Sequence, residues 1–176
     1  WLQKRYQSVN WWHNKIGVPQ LMRDIIILLR DDLPHETTFQ ALQVVAQYGN
    51  WQTHTGANLV WSADIALHYA ALTGDLHLIK TCSDYLVKEL RITTDEGIQP
   101  DYSFHQHGHR LQMYQYGNAF LRDNLRLAWE LRGTPWAYPL EKVKLLSDFT
   151  LQGWQWMARG VHTVPGTMDR SMSRIN

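Results

Sequence analysis

The sequence predicts an all-α fold. Apolar residues recur at helical spacing along most of the 176 residues, and the segments that they define are separated by short breaks that contain glycine and proline. No segment alternates between apolar and polar residues in the way that is typical of a strand. Because long helices joined by short turns pack as antiparallel neighbours, we expect helical hairpins laid side by side, as in an incomplete (α/α) toroid.

The helix boundaries follow from residues that start or stop helices. Pro19 and Pro34 open the first two segments, since proline is tolerated in the first turn of a helix. Gly74 closes the third segment, and Gly133 followed by Pro135 closes the fifth. The predicted helices span residues 19–30, 34–48, 57–72, 76–90, 111–131 and 140–157. Residues 97–108 and those from 159 onward lack periodicity and are predicted to be loops.

The composition excludes several classes of protein. With 17 basic and 16 acidic residues the formal net charge is +1, which argues against a general nucleic-acid binder, so we expect no nucleic-acid partner. The longest apolar run, residues 25–29, is too short to cross a membrane, and we expect no membrane partner. The one cysteine, Cys82, excludes an internal disulfide. Nine Trp, eight Tyr and nine His indicate either a large aromatic core or a surface that stacks on sugar rings.

The first break carries two adjacent indoles, Trp11 and Trp12, directly after Asn10. Two neighbouring side chains cannot both point into one core from a helix, so one of them is expected to face a cleft. Indole faces stack on the apolar faces of pyranose rings, which would bind carbohydrate. The alternative is that both tryptophans pack in the core.

Polar groups at two further breaks can interact with anions. The amide of Asn58, in the turn that opens the third helix, can donate to an anionic oxygen. The alternative role for this turn is to cap the helix. Arg170 and Arg174, near the end of the sequence, are spaced so that they could bind a carboxylate or sulfate, and the alternative is that both are solvated.

Residues 101–110 form the break that is richest in polar groups, and Tyr116 follows it. Three histidines at alternating positions could suit a metal in an extended chain: His105, His107 and His109. Gly108 interrupts that geometry, and Asp101 is the one acidic residue nearby. A histidine near tyrosines fits proton transfer better, because imidazole titrates near neutral pH and a phenol can donate or accept a proton. We therefore expect no metal and no cofactor, with a solvent-exposed loop of no chemical role as the alternative.

Four stretches resemble the α-helical catalytic domain of polysaccharide lyase family 8, which contains chondroitin AC lyases, hyaluronate lyases and xanthan lyases. In chain order they are NWWHNKIGVPQ, TGANLVWSADIALHYAALTGD, DEGIQPDYSFHQHGHRLQMYQYG and RSMSR. The resemblance covers nearly the whole chain. It implies that residues 1–176 are a fragment of one α/α-toroid catalytic domain and that the family's C-terminal β-sandwich region lies outside this sequence.

The resemblance also implies a role for individual residues. The family's catalytic residues fall on Asn58, His107, Tyr116 and Arg170. Its substrate-binding residues fall on Asn10, Trp11, Trp12 and Arg174. A glutamate that the family also uses lies beyond this sequence.

The implied reaction is β-elimination at a uronic acid, which yields unsaturated oligosaccharides. Asn58 would spread the negative charge of the carboxylate, His107 would share in its neutralisation or accept the C5 proton, and Tyr116 would act as base and then acid. Arg170 would supply the cation that makes a phenol a better base. Whether His107 or Tyr116 takes the proton is left open by the sequence.

The resemblance further implies a substrate and a location. We expect an acidic polysaccharide as substrate, of the chondroitin or hyaluronan type, and the rest of a longer chain as partner. The expected location is secreted or periplasmic in a bacterium. Two alternatives stay open: a non-catalytic carbohydrate-binding helical module, and an α/α-toroid glycoside hydrolase, which needs two facing carboxylates such as Asp101 and Asp169.

Overall fold

The computed structural model describes residues 1–160 and 162–168, and it confirms the all-α fold class. Its helices are α1 (Val18–Leu28), α2 (His35–Val45), α3 (Gly56–Thr73), α4 (Leu76–Glu89), α5 (Asn118–Leu131), α6 (Leu140–Asp148) and the short α7 (Gln155–Met157). Among the described residues, no helix combines the length and the apolar character needed to cross a bilayer.

The chain forms two compact units. The first contains Trp1–Thr53 and Trp61–Cys82, and the second contains His54–Val60 together with the described residues from Ser83 onward. The division falls within two helices: the first turn of α3 belongs to the second unit and the rest to the first, and α4 divides between Cys82 and Ser83.

The first unit is built on α1 and α2, which pack against each other through an apolar core. Five buried side chains form that core: Ile16, Ile26, Ala41, Val45 and Ile65. Arg23 and Asp64 form a buried ion pair in the same unit. Cys82 is buried too, and burial raises the pKa of its thiol to about 12, which keeps the thiol protonated at neutral pH.

The second unit has a core of three aromatic rings. Phe104 lies 5.0 Å from Phe120 and 6.1 Å from Phe149 between ring centroids, and all three side chains are fully buried. Phe104 comes from the predicted loop, whereas Phe120 comes from α5. The loop is therefore anchored in the core by an aromatic side chain, and this anchor restricts where its neighbouring histidines can lie.

The prediction that residues 97–108 form a loop without strands was wrong. Two short strands, β1 (Gly97–Ile98) and β2 (Phe104–His105), pair antiparallel with Ile98 opposite Phe104. A second pair, β3 (Ala158–Arg159) and β4 (His162–Thr163), lies in the other predicted loop. Each strand has two residues, which is too short for an alternating pattern to be visible in the sequence.

Three helical segments differ from the predicted ones in a common way: each includes or directly follows a π-helical turn that the sequence did not predict. These turns are His13–Gly17 before α1, Met113–Gly117 before α5, and Phe149–Trp154 between α6 and α7. A π-helical turn shifts the hydrogen bonds to the fifth residue and rotates the side chains that follow. The predicted helix 111–131 therefore opens with a π-helical turn at Met113 and becomes α-helical only at Asn118, and the predicted helix 140–157 is interrupted.

Candidate active site

His107 lies at the tip of a tight loop that β2 begins. The Gln106 N–H donates to the Arg110 carbonyl over 3.2 Å, which closes the loop around residues 107–109. Within it His107 has a φ of 60° and Gly108 a φ of 77°. A left-handed backbone is unfavourable for a residue with a side chain and is often found at functional sites. The strained residue here is the histidine that the sequence singled out.

Tyr116 lies in the π-helical turn before α5, directly across from that histidine. The His107 Nε2 atom and the Tyr116 hydroxyl oxygen are 2.8 Å apart, a hydrogen-bond distance. Their rings meet edge to face, with centroids 4.9 Å apart and planes at 89°. His107 is exposed and Tyr116 is half-buried. The structure thus brings together two of the residues that the sequence assigned to proton transfer.

Close packing at Gly117 fixes the position of the tyrosine's turn. A Cβ atom at Gly117 would lie 3.0 Å from the Phe104 Cβ and 3.3 Å from the Gln112 carbonyl oxygen. The Gly117 backbone therefore packs against the Phe104 side chain of β2, and the Gln112 N–H, just before the turn, donates to the Phe104 carbonyl over 2.8 Å. This contact holds Tyr116 next to the loop that carries His107.

Asn58 lies in the first turn of α3, in the same unit as His107 and Tyr116. Its side chain is half-buried. The turn before it is tied to the rest of the unit: the Gly56 N–H donates to Glu89 over 2.5 Å, and the Ala57 N–H donates to Gln106 Oε1 over 2.9 Å. Burial raises the pKa of Glu89, and the Gly56 N–H partly offsets that effect. Asn58 consequently projects from a turn whose backbone is held on two sides.

Glu96 and Gln106 are polar residues of this site that sequence reasoning missed. Glu96 accepts hydrogen bonds from Thr55 and Gln106, and from the Gly108 N–H over 2.8 Å. Both residues lie inside the stretch DEGIQPDYSFHQHGHRLQMYQYG that carried the family resemblance. Their position within this stretch could have drawn attention to them, whereas their contacts are visible only in the structure.

The two tryptophans of the first unit differ in their surroundings. Trp11 is 48% exposed. Trp12 is half-buried and meets Trp61 edge-on with centroids 5.7 Å apart, and a Cβ atom at Gly17 would lie 2.8 Å from its ring. Asn10 is exposed, and its side-chain oxygen accepts the Trp12 N–H over 3.1 Å. The expectation that one of the two indoles points away from the core is consistent with this arrangement.

The remaining predicted residues divide into two groups. Arg170, Arg174 and Asp169 lie outside the described residues. Within the described residues, the other two loop histidines lie beside each other, with the rings of His105 and His109 6.2 Å apart. His107 instead faces Tyr116, so the three imidazoles do not gather around one point in the part of the chain that the structure describes.

Asp101 lacks the environment of a proton-donating acid. The Ser103 N–H donates to its carboxylate over 3.0 Å, and this hydrogen bond lowers the pKa of Asp101. A glycoside hydrolase needs one carboxyl group whose pKa is raised so that it can protonate the leaving oxygen. The local chemistry at Asp101 therefore does not suit this residue to the role of that acid.

Comparison with known proteins agrees with the resemblance. A model of polysaccharide lyase family 8, N-terminal α-helical domain, matches residues 2–176. A chondroitinase-AC of Pedobacter heparinus is 34% identical over 99% of this chain and 25% of its own length. A hyaluronate lyase of Thermasporomyces composti is 30% identical over 72% of this chain and 17% of its own length.

A solved structure gives the same result for the fold. A chondroitinase AC lyase, studied as enzyme–oligosaccharide complexes, superposes with a TM-score of 0.92 at 31% identity, over 99% of this chain and 26% of that one. The chain thus spans about a quarter of the length of these two chondroitinase relatives. With a family model that matches almost every residue, the chain belongs to polysaccharide lyase family 8, in the region of its N-terminal α-helical domain.

Proposed function

We propose that this chain carries the acid–base residues of a polysaccharide lyase, which cleaves a uronic-acid-containing polysaccharide by β-elimination. The observation that carries the proposal is the 2.8 Å contact between His107 Nε2 and the Tyr116 hydroxyl oxygen, on a strained loop. An imidazole and a phenol at hydrogen-bond distance can pass a proton between them. β-Elimination requires such a transfer, because it removes a proton from one atom and delivers one to another.

The proposed reaction requires one base and one acid, and its protons and bonds balance with these two groups. The proton on C5 of the uronic acid leaves to a base, the C4–O glycosidic bond breaks, and a C4–C5 double bond forms. The departing oxygen takes up a proton from an acid. Tyr116 is proposed as that base and then as that acid, and its hydrogen-bond distance to His107 supports this role.

The difficult part of the reaction is the charge of the intermediate. The C5–H bond is weakly acidic because the neighbouring carboxylate is already ionised. A donor to that carboxylate lowers the barrier by stabilising the charge that develops. Asn58 is proposed as the donor, since its half-buried amide projects from a turn that Glu89 and Gln106 hold in place.

Substrate binding is proposed for the remaining predicted residues. Trp11, with its exposed indole, can stack on a sugar ring, and Trp12 and Asn10 hold the turn from which it projects. Arg170 is proposed as the cation beside the reacting oxygen, and Arg174 as a ligand of the substrate's acidic groups.

The relatives support a glycosaminoglycan as the substrate. A chondroitinase-AC and a hyaluronate lyase are among them, so we infer a polymer of the chondroitin or hyaluronan type. A long polyanionic chain does not cross a lipid bilayer, and we infer a secreted or periplasmic enzyme of a bacterium. The rest of a longer chain is the proposed partner, because the relatives are about four times as long as this sequence.

The test is an absorbance assay on the full-length parent protein with chondroitin, hyaluronan and xanthan in turn. The C4–C5 double bond conjugated to the carboxylate absorbs in the ultraviolet, whereas the substrates do not. We expect absorbance to rise with one polymer. Tyr116→Phe should lower kcat by about 10²–10⁴-fold, the range for loss of a general acid–base group.

Tyr114→Phe is the matched control, because Tyr114 lies in the same π-helical turn and is exposed. It should leave kcat within about twofold. Folded protein that gives no absorbance with any uronate polymer would overturn the lyase proposal and favour a carbohydrate-binding module. New reducing ends without absorbance would indicate hydrolysis instead.

A further inference from the structure

The Glu96 carboxylate joins the two segments that carry the proposed catalytic residues. One oxygen, Oε2, accepts the Thr55 hydroxyl over 2.6 Å and also the Gln106 side-chain N–H. The other oxygen, Oε1, accepts the Gly108 N–H over 2.8 Å. Thr55 is 41 residues before Glu96 and Gly108 is 12 residues after it. A single side chain therefore bridges the turn before α3 and the loop after β2.

Each of these three donors lies within three residues of a proposed catalytic side chain. Thr55 precedes Asn58 by three residues, and Gln106 and Gly108 flank His107. Gln106 adds a second link between the segments, because its Oε1 accepts the Ala57 N–H over 2.9 Å while its amide group donates to Glu96. Glu96 orients this amide, since a carboxylate only accepts and so requires the NH₂ end to face it.

The bridge also supports the strained backbone at the tip of the loop. His107 and Gly108 both have positive φ values, 60° and 77°. A residue with a side chain remains in this conformation only where its surroundings favour it strongly. The Glu96–Gly108 hydrogen bond has an ionised acceptor, which makes it stronger than a hydrogen bond between neutral groups. The carboxylate thus holds the turn in the form that directs His107 toward Tyr116.

We propose that Glu96 is a positioning residue. It holds Asn58 and the His107–Tyr116 pair at the relative positions that the elimination requires. This inference rests on the proposed function, because the relative positions of these side chains matter only if they act on the same substrate. Glu96 acts through its neighbours: its two oxygens are engaged by Thr55, Gln106 and Gly108. Its removal should therefore affect the rate of the chemical step and leave the affinity for the polymer unchanged.

The experiment is Glu96→Gln in the full-length parent protein, with steady-state kinetics on the polymer that the wild type cleaves. Glutamine keeps the size of the side chain, but its NH₂ group points a donor at groups that are themselves donors. We expect kcat to fall about 100-fold, as for a displacement of about 1 Å, with KM within about twofold. Glu141→Gln, at an exposed glutamate of the same unit, should leave both constants unchanged.

Thr55→Val keeps the test decisive even if the first variant folds poorly. Valine has the shape of threonine and removes a single hydrogen bond to the same carboxylate. We expect kcat to fall by about threefold to tenfold, again with KM unchanged. In a Glu96→Ala background, which has no side-chain oxygen left to accept the Thr55 hydroxyl, the threonine substitution should cost nothing more.

The outcomes separate the two proposals. A wild type that forms no unsaturated product overturns the proposed function. An active wild type whose Glu96→Gln and Thr55→Val variants keep wild-type kcat overturns the role of Glu96 alone. The role of Glu96 would also be overturned if the variants raised KM instead of lowering kcat. The same holds if the two reductions in kcat multiplied in the double variant.

Discussion

Replacement of Gly56 by alanine tests how tightly the turn before Asn58 is packed. Gly56 has a φ of 56°, and a Cβ atom there would lie 2.2 Å from Gln106 Oε1. The left-handed backbone alone costs an alanine about 1–2 kcal/mol. To admit the methyl group, Gln106 must also move, which takes an acceptor away from the buried Ala57 N–H. An unsatisfied buried donor costs a further 1–3 kcal/mol or so.

The expected destabilisation is the sum of these two effects, about 2–5 kcal/mol. Gly133→Ala is the matched control, because Gly133 lies in the same unit, has a φ of 73°, and has no atom within 4 Å of its added Cβ. It should cost only the backbone contribution, about 1–2 kcal/mol. The free energy of unfolding, measured by urea titration of both variants, provides the comparison.

Equal stability of the Gly56→Ala and Gly133→Ala variants would contradict this expectation. That result would mean that Gln106 does not pack closely against Gly56 and that the turn is looser than the structure indicates. A second check uses Gln106→Ala as the background. There the extra cost of the alanine at Gly56 should disappear, because the side chain that it displaces is absent.

Three further predictions concern the first unit. Asp64→Asn should destabilise the protein by about 3 kcal/mol in urea unfolding, because the buried Arg23 loses its buried carboxylate partner and is left with the more exposed Asp24. Burial lowers the pKa of His68, but its hydrogen bond and attraction to Asp64 outweigh this, so its pKa is raised overall. The associated stability is complete below about pH 6.5 and is lost as pH rises through the raised pKa, and His68→Gln should remove this pH dependence. Trp12→Ala should lower stability by about 3 kcal/mol, whereas Trp11→Ala should leave stability within about 0.5 kcal/mol and raise KM for the polymer.

Most of the helices could be predicted because local signals specify them. The predicted segment 57–72 and the observed α3, Gly56–Thr73, differ by one residue at each end. Glycine at 74 has a φ of 76°, which is the left-handed conformation that ends a helix. Where one residue determines where a helix ends, the sequence is enough.

The π-helical turns could not be predicted because packing produces them. The turn Phe149–Trp154 contains Gly153, where a Cβ atom would lie 2.0 Å from the Tyr102 carbonyl oxygen. This close approach joins a helix to a loop 51 residues earlier in the chain. One widened turn shifts the phase of the helical periodicity by a single residue, a change too small to recognise in the sequence, so the interruption is visible only when the partner is known.

The candidate site shows the same division between local and distant information. His107 and Tyr116 are nine residues apart, and their types suggested proton transfer before their contact was known. Glu96 gave no such indication, since it is one of 16 acidic residues and could equally have been a solvated surface group. Its contacts reach Thr55 and Gly108, which lie on opposite sides of it in the chain.

The position of the Glu96 carboxylate has a physical explanation that depends on the fold. Each helix that begins near a reaction centre leaves backbone N–H groups without partners, and a loop with two left-handed residues turns another N–H inward. Acceptors must therefore be supplied close to the proposed catalytic side chains, by residues that do not themselves react. In this chain Glu89, Glu96 and Gln106 supply them. Substitutions at these positions should consequently change the rate of elimination even though none of the three side chains has a proposed contact with the polysaccharide.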